Sequence, residues 1–128
     1  MVDQPKAGDV ARSDVPTCRS DEPLSEVRDR VRIAGWDACV VVNDKRVVLG
    51  LLRKAQLTKG SDEVVGRVMQ PGPSTFRPHV PIGELADYMP DNDLESSPVT
   101  TSDGRLVGLL LREDAVSHHQ QHQPKAGC

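Results

Sequence analysis

The sequence predicts an α/β (α+β) fold made of two pseudo-symmetric β-α-β-β-α repeats packed through their sheets. Three observations predict it. The first is an internal repeat: Gly50 and Gly108 are 58 positions apart, and so are Val27 and Leu85, which marks two copies of one plan. The second is helical apolar spacing at the same place in each copy. The third is a pair of apolar runs joined by a polar turn, which follows the helical stretch in both.

Each copy opens just after a proline, with Pro16-Thr17-Cys18-Arg19 in the first and Pro73-Ser74-Thr75-Phe76 in the second. Leu24, Val27, Val31 and Ala34 then place apolar side chains on one helical face, as do Ile82, Leu85, Ala86 and Met89. Pro23 and Pro81 suit the first turn or the position before it, and Ser25 marks the first helix start. Gly35 is placed to stop the first helix. Pro90 is expected to end the second one early, because it lacks an N–H and crowds the preceding turn. Cys39-Val40-Val41-Val42 leads through Asn43-Asp44-Lys45 to Val47–Leu52, and Pro98-Val99-Thr100 through Ser102-Asp103-Gly104 to Leu106–Leu111. Asp-Gly between apolar runs is a hairpin signal, and unbroken apolar runs suit strands covered on both faces. Short helices near Arg53–Leu57 and Arg112–Val116 close the copies. One such unit is too small to bury its faces well, so the two are expected to share a core.

This divides the chain into a flexible N-terminal tail (1–8), a first repeat (9–60), a second repeat (61–117) and a disordered His/Gln-rich tail (118–128). Lys59 to Glu63 reads as a polar linker, and Val64 to Met69 as a short amphipathic lead into the second copy.

Composition narrows the function. Aromatics make up 2% of the chain, Trp36, Phe76 and Tyr88, so the core is aliphatic and stacking on bases or sugars is disfavoured. A net charge of -3, with no basic stripe, disfavours a nucleic-acid partner. No apolar run approaches the roughly 18 residues of a membrane span, and the polar N-terminus lacks the apolar region of a secretory signal, so a cytoplasmic location is expected. The three cysteines, Cys18, Cys39 and Cys128, form no CxxC pair, which argues against a disulfide framework or a four-cysteine zinc site. Cys39, inside an apolar run, reads as a small buried hydrophobe. No Ser-His-Asp set, paired catalytic carboxylates, Walker loop or GxGxxG is present, so a stand-alone enzyme is disfavoured. His118 and His122 stand at i, i+4, but no Glu lies between them and the surroundings are Gln-rich. No metal site is therefore assigned.

"VVGRVMQPGP" (Val64 to Pro73) and "SSPVTTSDGRLVGLLLREDAV" (Ser96 to Val116) resemble the tandem cystathionine-beta-synthase (CBS) repeat family, also called a Bateman module. The resemblance runs from about Asp9 to Val116 and is more specific in the second copy. It implies a non-catalytic regulatory module that binds an adenosine-containing ligand (AMP, ADP, ATP or S-adenosylmethionine) between the copies. It also implies a homodimer and a regulated protein partner. The alternative is a degenerate pair that serves only as a dimerisation scaffold.

The family's ligand motif runs glycine, two apolar residues, Ser or Thr, two variable residues, then an Asp that accepts from both ribose hydroxyls. Copy two reads Gly108-Leu109-Leu110-Leu111-Arg112-Glu113-Asp114, which implies Asp114 as the ribose ligand, with Leu111 in place of the hydroxyl. Copy one places Arg53 and Gln56 at those two positions. Basic residues before the central strand of the opposite copy often hold phosphate in the family, which implies Arg30 and Arg32 opposite Asp114. Asp91 and Asp93 stand opposite Gln56 and would repel phosphate. Ser97, Pro98 and Val99 are implied as the adenine edge, with Ser74 and Thr75 adding hydroxyls. Each also has a plain structural reading: Asp114 as a first-turn acidic residue, Arg30 and Arg32 on a solvated helix face, and Ser97 to Val99 as ordinary strand.

Overall fold

The computed structural model describes residues 5–58 and 63–122. The first copy contains α1 (Ala7–Val10), β1 (Thr17–Cys18), α2 (Leu24–Ile33), β2 (Cys39–Val42), β3 (Val48–Leu52) and α3 (Lys54–Leu57). The second contains α4 (Val65–Val68), β4 (Gln70–Pro71), α5 (Ile82–Asp91), β5 (Ser96–Thr100), β6 (Leu106–Leu111) and α6 (Arg112–His122). One sheet runs β1-β2-β3-β4 and the other pairs β5 with β6. Single bridges from Phe76 to Val99 and from Arg12 to Leu109 extend the second sheet at its two edges. They occupy the places that β1 and β4 hold in the first sheet.

The edge elements are exchanged between the copies. β4 comes from copy two but pairs with β3 of copy one, and Arg12 comes from copy one but pairs with β6 of copy two. The short helices follow the same rule. Ala7 and Val10 of α1 are buried with Ile82, Leu85 and Met89 of α5, while Val65 of α4 is buried with Leu24, Val27 and Val31 of α2. Backbone bonds fix the exchange: Ala7 N donates to Val80 O, and Val65 N to Glu22 O. Leu24 N donates to Glu63 O and Ile82 N to Pro5 O, at 2.9 Å each. The last two explain how α2 and α5 begin without a side-chain cap, since a chain segment from the other copy satisfies the first free N–H behind Pro23 and Pro81. Ser25 therefore does not cap α2, which starts at Leu24.

The strand runs are apolar throughout because both faces are covered. Cys39 and Val41 face α2 within the copy-one core. Val40, Val42 and Leu51 meet Leu106 and Leu109 between the two sheets. Burying each such Val or Leu side chain contributes about 1.5–3 kcal/mol. This is the shared core that the size of one repeat demands.

Three sequence expectations are corrected. Residues 5–8 are not a loose tail, since Ala7 is fully buried and Gly8 N donates to Pro78 O. A helix of only four residues carries too little periodicity to be read from sequence. α6 does not stop at Val116 but runs to His122, and 123–128, like the 59–62 linker, lie outside the described residues. Pro90 does not shorten α5, which continues to Asp91. Proline in a last turn removes one ladder bond, and the end is closed by Asp93 N to Pro90 O and Leu94 N to Met89 O. That pair of bonds is the Schellman pattern. α2 ends identically, through Gly35 N to Arg32 O and Trp36 N to Val31 O, with Gly35 and Asp93 both in the left-handed region.

Candidate functional site

β6 passes directly into α6, so Glu113 and Asp114 fall in the first helical turn, where the helix dipole favours negative charge. Asp114 is mostly covered, its side chain 19% exposed. Both of its oxygens accept from one guanidinium: Arg12 Nε at 2.8 Å and Arg12 Nη2 at 3.0 Å. Arg12 reaches this point because its backbone is sewn to β6, through Arg12 N to Leu109 O and Leu109 N to Arg12 O. Gly108 permits that approach, since a Cβ there would sit 2.9 Å from Arg12 O. The same guanidinium lies 5.9 Å from the ring centre of Trp36 in copy one, and its bond to Asp114 raises its proton affinity further. An ion pair with Arg12 this exposed, at 47%, contributes only about 0–1 kcal/mol. It is easily opened.

Beside the pair lies a cavity of about 460 Å³ lined by Arg12, Ala34, Gly35, Trp36, Asp37, Leu111 and Glu113. Copy one thus supplies the wall at the end of α2, and copy two the start of α6. A second hollow of about 270 Å³ shares Asp37, Leu111 and Glu113 and extends to Glu95, Ser96 and Arg112.

The other residues implied by the sequence are distributed as follows. Arg30 is held within its own copy, with Nη2 2.6 Å from Glu22 Oε1 and Nη1 3.2 Å from Thr17 O. Arg32 pairs with Asp29 and lines a different hollow, of about 430 Å³, with Arg28, Val31, Trp36, Lys54 and Leu57. The cation that the fold brings onto Asp114 is Arg12, and neither Arg30 nor Arg32 lines that cavity. Ser97 donates its hydroxyl to Ser74 O, so these two residues do meet. Pro98 O accepts from Phe76 N, and Val99 pairs with Phe76 and Gly108. Ser97, Pro98 and Val99 are buried, while Ser74 and Thr75 are exposed.

In copy one, Gln56 Oε1 accepts from Arg53 N at 2.8 Å, closing the first turn of α3. Arg53 crosses to copy two, donating from Nη2 to Ser96 O at 3.1 Å, and its Nε is buried without a partner. Asp91 and Asp93 are exposed, and Asp93 serves the helix stop. Cys18 and Cys39 are buried in one core cluster; contact with the Cys18 thiol, then burial, pushes the Cys39 thiol upward. Among the described residues no group of three or more His, Cys, Asp or Glu is placed to hold a metal, and no helix is long and apolar enough to cross a membrane.

Arg12 was not legible as a site residue. It lies outside any motif, 102 residues from Asp114. The one signal was the 58-residue register: Arg12 aligns with Gln70, whose strand edges β3.

A CBS domain family model matches residues 7–62 and again 65–120. The chain is 28% identical over 117 residues to an uncharacterised protein of Methanopyrus kandleri, MK0525, matching 85% of this chain and 60% of that one. It is 31% identical over 126 residues to the inosine-5'-monophosphate dehydrogenase of Mycobacterium tuberculosis, matching 94% of this chain and 23% of the enzyme. The chain therefore spans three-fifths of the first relative and under a quarter of the second. Among solved structures, CBSX2, a CBS-pair protein from Arabidopsis thaliana, in complex with AMP superposes at a TM-score of 0.81 with 20% identity, covering 91% of this chain and 97% of that one. The CBS domain pair of MJ0100, in complex with 5-methylthioadenosine and S-adenosyl-L-methionine, gives 0.81 with 15% identity, covering 94% and 99%. The cytosolic domain of the Mg2+ channel MgtE, in complex with ATP, gives 0.79 with 25% identity, covering 88% and 48%. The two matched segments start 58 residues apart, the register of the internal repeat, and the chain belongs to the CBS domain family as a tandem CBS pair.

Proposed function

We propose that this chain is a non-catalytic regulatory module that binds an adenosine-containing ligand in the copy-two cleft, with Asp114 accepting from the ribose hydroxyls. The observation that carries the reading is the position of Asp114. It is the one acidic residue at the motif's last position, and it stands at a helix start, bonded to Arg12, which with Glu113 lines a cavity walled by both copies. The ligands named for CBSX2, MJ0100 and MgtE (AMP, methylthioadenosine with S-adenosylmethionine, and ATP) supply the chemical class. Ser97 to Val99, with Ser74 and Thr75, are proposed as the purine edge, and Gln56 leaves the copy-one cleft without the matching acceptor.

Calorimetry with AMP, ADP, ATP and S-adenosylmethionine tests this. At least one compound should bind, and Asp114→Asn should weaken it roughly ten- to a hundredfold, the worth of a charged hydrogen bond. Gln56→Ala should change the affinity little. Absence of binding by all four at millimolar concentration would leave the scaffold reading, which the occupied oxygens of Asp114 favour. Self-association is proposed with either reading. Ile33 is 85% exposed on α2 and Tyr88 44% exposed on α5, and burying such side chains against a second copy suits a symmetric pair. Sedimentation velocity at high concentration should then show a dimer.

A further inference from the structure

We infer that Arg12 is the residue that makes this cleft select a phosphate-bearing nucleotide over a neutral nucleoside, an assignment that rests on the adenosine reading above. Among the described residues Arg12 is the only cation on the wall of the copy-two cavity; Arg112 lines the adjoining hollow instead. The other charged groups there, Asp37 and Glu113, repel phosphate, and Leu111 carries no hydroxyl to bind it. Without Arg12 the wall is apolar and acidic.

The geometry gives Arg12 a second property. Its backbone is fixed on both sides of the peptide by Leu109, so only the side chain can move. In this structure its Nε and Nη2 donate to the two oxygens that a ribose diol would need. A ribose that takes those oxygens frees the two donors. A 5'-phosphate attached to the same ribose offers oxygens to them, so Asp114 and Arg12 each keep two charged hydrogen bonds. Adenosine takes the same oxygens and leaves the guanidinium with nothing in return but water. The face of Trp36, 5.9 Å away, holds the freed guanidinium at the cleft.

Paired calorimetric titrations of AMP and adenosine test this on the full chain, in the wild type, Arg12→Ala and Arg12→Lys, with thermal melts to verify folding. The wild type should prefer AMP by roughly tenfold or more. Arg12→Ala should lose roughly ten- to a hundredfold in AMP affinity and hold or gain affinity for adenosine, so that the ratio approaches one. Arg12→Lys, a point charge without the planar fork, should fall between. The inference is overturned if Arg12→Ala leaves the AMP-to-adenosine ratio unchanged, or strengthens both equally, which would make Arg12 a simple plug on Asp114. Failure of the ligand reading looks different: neither compound binds the wild type, or Asp114→Asn leaves both affinities intact.

Discussion

Arg46 and Gly104 occupy the same point of the two hairpin turns, and both are left-handed, with φ of 64° and 87°. The turns also bond to each other, through Val48 N to Gly104 O and Leu106 N to Arg46 O. A glycine meets this backbone demand without strain, whereas an arginine carries a Cβ penalty of about 1–2 kcal/mol. Arg46→Gly should therefore raise stability by about 0.5–1 kcal/mol once the extra unfolded-state freedom of glycine is subtracted. Gly104→Ala should lower it by about 1–2 kcal/mol, because its Cβ also meets Val47 at 3.3 Å. Urea denaturation of the two variants checks both signs. A stable Gly104→Ala would show that the turn relaxes freely.

Removing residues 1–10 should damage copy two, not copy one. Ala7 and Val10 leave the cluster that holds Ile82, Leu85 and Met89, and Ile82 N loses Pro5 O. The cost should be about 2–4 kcal/mol, from two lost apolar side chains and the cavity they leave. A melting temperature equal to that of the full chain would return these residues to the status of a tail.

Acid should release a specific contact. Arg30, by hydrogen bond, holds the Glu22 carboxyl below its ordinary value of 4.5, assisted by the backbone N–H of Arg19. The folded chain then binds fewer protons than the unfolded one, so the stabilisation is complete above the unfolded value and fades as pH falls through the lowered folded value. Glu22→Gln should cost at most about 1 kcal/mol near neutrality and progressively less as the pH falls below 4.5 and through the lowered folded value. Urea midpoints of both proteins across that range give the difference, and a gap that widens in acid would contradict the assignment.

The repeat, its 58-residue register, the helices α2 and α5 and the strand pairs were legible because each is repeated and long enough to show a period. What stayed hidden was either short or non-local. α1 has four residues, the exchange of edge strands is a matter of topology, and the Arg12–Asp114 pair joins the two ends of the chain. Asp93 was read as a charge opposing phosphate, yet it stands where Gly35 stands and closes a helix; a left-handed aspartate is invisible in a charge pattern. Arg30 and Arg32 alternate along α2 and so face different neighbours, which spacing of two on a helix requires.

The exchange of edges has a consequence for how the protein can be divided. A cut at the linker between the copies does not yield two self-sufficient pieces. The fragment ending at Thr58 carries α1, which completes the other fragment, and the fragment starting at Glu63 carries α4 and β4, which complete the first. Each piece is thus the missing ligand of its partner. The two halves should be individually soft, bind each other from separate solutions, and melt together as one cooperative unit once joined.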